Sequence, residues 1–293
     1  MIPKELLKAL RRIQITTDRL ATQQLSGNYT SIFKGQGLSF REVREYQQGD
    51  DVRSIDWNVS ARMGQTFVKI FVEEREMTVM LVVDLSASQR FGTRVGSKAR
   101  LAAEVAALCA FSAIKHNDRV GLILSTDQVE KIVPPKKGQK HVMRVVREIL
   151  GAEPERTGTD LSAALETLSH VARRRCVAFL ISDFYATGYS RALSLAAARH
   201  DVIPVVLMDP RDVELPDVGL TSFEDFETGE SVIVDTKSPE VRAHYAHQMR
   251  KIRQEQVQLF QKLALDHCVV RTDQPYIKPL RDLFARRARR VRR

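Results

Sequence analysis

The sequence predicts an α/β protein: a mostly parallel sheet with helices packed on both faces. Two observations carry that expectation. From about residue 77 onward, apolar runs of strand length alternate with segments whose apolar residues recur at helical spacing. The runs are apolar at nearly every position, as strands covered on both faces are, rather than alternating apolar and polar. With 293 residues the chain is long enough for one large domain, or for a medium domain and a smaller one. The expected division is residues 1–76 and 77–293.

Residues 1–76 depart from the alternating pattern. The opening "MIPKELLKALRRIQ" reads as a charged amphipathic helix without a signal-peptide core or cleavage site. Short, polar-interleaved segments follow and suggest a small β-containing subdomain. Within it, "GDDVRSIDW" (49–57) sets Asp50, Asp51, Arg53 and Asp56, with Arg62 beyond, around Trp57, the only tryptophan. A catalytic carboxylate pair is one reading of this block. Structural ion pairs stacked over Trp57, bracing the segment onto the sheet, are the reading that such dense, alternating charge favours.

The elements of 77–293 follow in order. "TVMLVVD" (78–84) is a buried strand, and the next helix carries Leu101, Val105, Leu108 and Phe111 on one stripe. "RVGLILST" (119–126) is a second strand with "VEKIV" (129–133) as hairpin partner, and Val142, Val145, Val146 and Ile149 mark a helix. Thr159 and Asp160 offer capping chemistry to a helix with Leu161, Leu165, Leu168 and Val171 on one face. A strand at 176–183, a helix near 189–199 and a strand at 201–209 come next. Residues 211–236 read as a hairpin excursion turning at Thr228–Gly229. A long helix over about 238–265, a short strand from Cys268 and a basic helix close the chain.

Composition narrows the function classes. The net charge of +10 is concentrated in "ARRARRVRR", where Arg286, Arg287, Arg289, Arg290, Arg292 and Arg293 lie; without those six the balance falls to +4. That tail could meet nucleic acid or an anionic surface, but so patchy a distribution argues against a specific nucleic-acid face. No apolar run nears the roughly 18 residues of a membrane span. Cys109, Cys176 and Cys268 are distant and set in apolar contexts, which suits buried free thiols in a reducing cytoplasm.

The chemistry gathers at strand ends. In an open α/β sheet, ligands collect at the carboxyl ends of the strands. Asp84, Ser86 and Ser88 sit at one such end and Asp183 at another, while "RTGTD" supplies Thr157 and Thr159 in a loop opening a helix. Two carboxylates and three hydroxyls, with Thr159 preferred to Thr157, suit a hard cation such as Mg²⁺ or Mn²⁺. Neutral hydroxyls leave such an ion electrophilic, and an open position would attract a carboxylate from a client protein. Turn and cap duties are the plain alternative for each residue.

The order Asp84-x-Ser86-x-Ser88, Thr159, Asp183 resembles the metal-ion-dependent adhesion site of von Willebrand factor A domains. Gly35, Gly37, Phe40, Arg44, Tyr46, "GDDVRSIDW" and "SAR" (60–62) further resemble the bacterial family labelled domain of unknown function 58. The resemblance implies a von Willebrand factor A-like, Rossmann-like fold and a non-enzymatic adaptor. It also implies partnership with a MoxR-type AAA+ ATPase, whose gene usually neighbours the family, in assembling or activating other complexes. Such domains often carry Met where this chain has Gln89, and many relatives carry membrane helices.

Enzymatic alternatives are short of residues. Haloacid-dehalogenase-like phosphatases need a second Asp two positions after the first, where this chain has Ser86. "GTRVGSK" (92–98) lacks the glycine spacing of a phosphate-binding loop, and no histidine sits in a nucleophile motif.

Overall fold

The computed structural model describes residues 38–73, 77–90, 97–224 and 230–291. The helix expected at the amino terminus, Gly35, Gly37 and the Thr228–Gly229 turn lie outside them.

Two compact units are formed, of which the smaller is Phe33–Met77. Its strands β1 (Leu38–Glu45) and β2 (Phe67–Glu73) form an antiparallel ribbon with a register shift between Phe40 and Glu42. Between them lies a short helix α1 (Trp57–Met63), closed by Gly64 at φ 71°. The charges of the GDDVRSIDW block are spent locally. Asp51 accepts a hydrogen bond from the Arg53 N–H, and Asp56 caps α1 by accepting from the Asn58 and Val59 N–H groups. Asp56 also faces Lys69 at 3.5 Å. The Arg44 fork meets both oxygens of Asp50 at 2.6 and 2.8 Å, holding that carboxyl below its ordinary range. The expected stack over Trp57 is therefore corrected: these carboxylates are turned to caps and to cations on the ribbon, and Trp57 stands 68% exposed.

The larger unit runs on from Thr78. In chain order its elements are β3 (Thr78–Asp84), α2 (Lys98–Lys115), β4 (Arg119–Ser125), β5 (Val129–Lys136), α3 (Gln139–Leu150) and α4 (Leu161–Val171). Then come β6 (Val177–Ser182), α5 (Ser190–Arg199), β7 (Asp201–Met208), β8 (Leu220–Glu224), β9 (Ser231–Asp235), α6 (Pro239–Lys262), β10 (Cys268–Arg271) and α7 (Ile277–Val291). The central sheet has the order β10-β7-β6-β3-β4-β5, parallel throughout except for β5. The chain enters at β3, winds outward to β5, then crosses back to β6 and winds the other way. That is the doubly wound order, with its switch point between β3 and β6.

Both sheet faces are buried, as uniformly apolar strands require. Met80, Val82, Ala178, Leu180 and Val202 pack with Leu161 and Leu165 of α4, Leu193 of α5 and Phe260 of α6. The opposite face is covered chiefly by α2, nearly all of whose residues from Leu101 to Ala113 are buried. Leu280, Leu283 and Phe284 of α7 are buried at helical spacing, and Phe284 meets Phe179 edge-on at 6.2 Å. The three cysteines are free and buried. Among the described residues no helix is long and apolar enough to cross a membrane.

β5 forms one margin of the sheet and contains Pro134 and Pro135. Its pairing with β4 shifts between Val120 and Leu122, and Gly121 lies at the shift. A Cβ on Gly121 would stand 2.5 Å from the Met80 sulfur and 3.2 Å from the Pro135 nitrogen. Valine there cannot be housed by moving Met80 alone. Gly121→Val is expected to lower the unfolding free energy by about 1–3 kcal/mol, seen as a lower urea midpoint with an unchanged slope.

Candidate functional site

The switch point brings the strand-end acids together. β3 and β6 are neighbours in register up to Val83 and Ile181, so Asp84 and Ser182 emerge side by side, with Asp183 next. Asp84 is 1% exposed. Its Oδ1 accepts from the Ser86 N–H at 2.9 Å, and its Oδ2 accepts from Ser182 Oγ at 2.6 Å and Gln89 Nε2 at 3.3 Å. All three donors are neutral. Burial, and next the nearby charge of Asp183, push the Asp84 carboxyl up to about 6.

Ser86 is fully buried, and its hydroxyl lies 3.0 Å from that of Ser88. The turn carrying them is fastened on two sides: the Leu85 N–H donates to the Ser125 carbonyl and the Ala87 N–H to the Thr157 carbonyl. Thr157 is exposed and Thr159 half-buried. The N-cap of α4 is Asp160, which accepts from the Ser162 and Ala163 N–H groups. Its own N–H donates to the Thr126 carbonyl, which holds the Thr157–Asp160 loop against β4. Thr159 is thus carried to the same edge.

Asp183 meets a different environment. Lys98 Nζ donates to its Oδ2 at 2.8 Å and reaches both oxygens of Asp212 at 3.3 Å. The Lys98 side chain is 2% exposed, and the Tyr185 ring centroid lies 5.5 Å from its ammonium. Burial raises the Asp212 carboxyl, which the Lys98 charge opposes. The Asp183 carbonyl accepts from Arg253 of α6 at 2.8 Å. Phe184 follows at φ 60°, a costly conformation for an aromatic residue. It is held there by its N–H to Ser182 Oγ at 2.9 Å and by Gln256 Nε2 on its carbonyl at 2.6 Å.

Lys98, Ser182, Gln89, Asp212 and Arg253 were not read from the sequence as parts of this edge. Lys98 had a signal: it shares the stripe of Leu101, Val105 and Leu108, which buries it. Gln89 follows Ser88 in the same turn and Ser182 precedes Asp183, while Asp212 and Arg253 are brought in from afar by the fold.

The five expected ligands are all oxygen donors, and only two are carboxylates. Among the described residues no three His, Cys, Asp or Glu side chains cluster to hold a metal, so any cation here would depend on the hydroxyls. One further observation bears on the fit. Gln89 Oε1 is buried without a hydrogen-bond partner beside Asp84, an orphaned acceptor that a cation or its bound water would satisfy. The donor set therefore fits a hard divalent ion. The arginine tail is partly spent: Arg286 donates to the His267 carbonyl at 3.1 Å, and Arg287 pairs with Asp201 and Asp266.

The doubly wound order, the antiparallel margin strand and the strand-end Asp-x-Ser-x-Ser turn accord with the von Willebrand factor A-like fold that the sequence resemblance implies. The chain belongs to the family described as protein of unknown function DUF58, whose profile matches residues 42–255. The Mycobacterium tuberculosis protein Rv1480 is 35% identical over 259 residues, 85% of this chain and 82% of its own length. Among solved structures, BatB of Bacteroides thetaiotaomicron is 14% identical with a TM-score of 0.45, covering 73% of this chain and 99% of its own. The SpRpn10 VWA domain is 11% identical with a TM-score of 0.40, covering 72% of this chain and 95% of its own.

Two substitutions should act in opposite senses. Asp84 has a folded-state value near 6 against 3.8 for the ordinary carboxyl, so its ionisation opposes folding. The stability it contributes is fully present below about pH 4 and lost as pH rises through about 6. In metal-free protein at pH 7.5, Asp84→Asn is expected to raise stability by ~2 kcal/mol, and the difference should shrink as the pH falls toward 4. Lys98→Met leaves two buried carboxylates without their cation and should cost about 3 kcal/mol or more. Thermal unfolding across pH, in chelator, reads both.

Proposed function

We propose that the chain is a metal-dependent protein-interaction module without catalytic activity of its own. In this reading Asp84, Ser86, Ser88, Thr159 and Asp183 hold Mg²⁺ or Mn²⁺. The observation that carries it is the state of Asp84: a buried carboxylate whose hydrogen-bond donors, Ser86, Ser182 and Gln89, are all neutral. A charge so placed costs free energy unless a cation approaches it. Charge balance supports the same reading. Lys98 is shared by Asp183 and Asp212, and the neighbouring Asp84 has the charge of Asp183 beside it and no cation among its hydrogen-bond donors.

When bound, such an ion supplies a Lewis-acidic position for a carboxylate oxygen from a client protein. The residues of this chain do the orienting. The Ser182 hydroxyl and Ser86 N–H fix the Asp84 carboxylate, while Lys98 holds Asp183. The protein fold supports an interaction role in general. Family resemblance supports a MoxR-type AAA+ ATPase as the partner, acting with this chain on a client complex. A cytoplasmic setting accords with the free, buried cysteines. Catalysis has less support, since Ser86 occupies the place where a phosphatase would need its acid.

The test is capture of the MoxR-type ATPase from the same organism by the full chain, with Mg²⁺, with Mn²⁺ and in EDTA. Capture should require the metal and disappear in Asp84→Ala and Ser86→Ala while circular dichroism is unchanged. Mn²⁺ alone should raise the melting temperature of the wild type and leave that of Asp84→Ala unmoved. Capture indifferent to EDTA and to both substitutions would sink the reading.

A further inference from the structure

Lys98 stands where two rules of stability disfavour it. It is the first residue of α2, directly after the N-cap Ser97, and the positive end of the helix dipole opposes a cation there. Its side chain is also 2% exposed, and a buried ammonium is costly unless it is closely paired. A lysine so placed serves something other than α2 itself.

Its nearest partner is Asp183. Lys98 Nζ donates to Asp183 Oδ2 at 2.8 Å, while Oδ1 accepts from the Tyr185 N–H at 3.3 Å. The backbone here is fixed separately, by Arg253 on the Asp183 carbonyl at 2.8 Å and by the Phe184 N–H to Ser182 Oγ at 2.9 Å. The placement of Asp183 thus has supports besides Lys98, and the ammonium's particular effect is on the carboxylate's charge and lone pairs. Asp212 offers the same ammonium a second seat, with both oxygens 3.3 Å from Nζ. That seat is anchored, since Asp212 Oδ2 accepts from the Asp209 N–H at 2.8 Å in the capping box after β7.

We propose that Lys98 is a tethered competitor of the cation at this edge, lowering the affinity of Asp183 for a divalent ion, and that Asp212 tempers the competition by drawing the ammonium toward itself. The inference rests on the metal reading above and concerns how firmly that site holds its ion. Like charges repel, and an ammonium hydrogen-bonded to a carboxylate oxygen withdraws both charge and a lone pair from any other cation. Asp212 gives Lys98 a partner to lean on when Asp183 is engaged elsewhere. A site that must release its client gains from a cation held loosely.

The experiment titrates Mn²⁺ into the metal-free full chain and reads the free ion by electron paramagnetic resonance. Asp212→Asn keeps an oxygen for the Asp209 N–H but leaves the ammonium to Asp183, so Mn²⁺ should bind at least about threefold more weakly than to the wild type. Lys98→Met combined with Asp212→Asn removes the competitor together with its second seat, and Mn²⁺ should bind at least about tenfold more tightly than to the wild type. A Lys98 that merely orients Asp183 predicts the reverse: no loss in Asp212→Asn, where the Lys98–Asp183 bond is intact, and a loss in the double variant. Either shift absent or reversed, in protein whose circular dichroism is unchanged, would overturn the proposal. Should the double variant fail to fold, the sign in Asp212→Asn decides by itself. Asp84→Ala is the control for the underlying reading and should bind no Mn²⁺. A wild type that takes up none, or an Asp84→Ala that binds as the wild type does, would instead mark the failure of the metal reading and bring this inference down with it.

Discussion

The buried ammonium of Lys98 is the contact on which the arrangement of the sheet's carboxyl edge depends. It begins α2, yet it reaches Asp183 at the end of β6 and Asp212 in the turn that follows β7. Three crossovers of the doubly wound chain are thereby referred to one charge. Burying an ammonium is costly unless it is closely paired, and two carboxylates with the Tyr185 ring nearby meet that condition. Arg253, 4.7 Å from the same ring centroid, extends the arrangement to α6.

The two strand-end acids consequently live in different electrostatic worlds though they are neighbours. Asp183 is matched by Lys98, its carbonyl is held by Arg253, and the strained turn at Phe184 is locked behind it. Asp84 receives only neutral donors, and its ionisation works against the fold. A site that spends stability in this way is what a function-bearing edge looks like.

Much of the architecture was legible in the residues because uniformly apolar strands and striped helices leave few alternatives. The Asp-x-Ser-x-Ser turn, Asp183 and the threonine loop could be assigned to one edge from strand ends alone. What escaped was the set of contacts that bridge long stretches of chain, such as Ser182 to Asp84 across 98 residues and Lys98 to Asp212 across 114. Such pairings follow from sheet order, which local patterns do not encode. Lys98 is the exception, since a lysine on an apolar stripe must find a buried partner. Trp57 misled for the opposite reason. Dense charge around an aromatic suggests a stack, but backbone N–H groups at helix starts compete for the same carboxylates and win here.

Pro134 and Pro135 have a wider consequence for how molecules of this kind can meet. Strand addition needs a run of free N–H donors along a margin, and two adjacent residues of β5 have none to offer. At the far side, β10 has only four residues, too few to template a long neighbour. Growth by sheet extension, the commonest route from an α/β sheet to a fibre, is thus discouraged at both ends. Contacts with other molecules are thereby turned from backbone pairing toward side chains, where they can be reversible and selective.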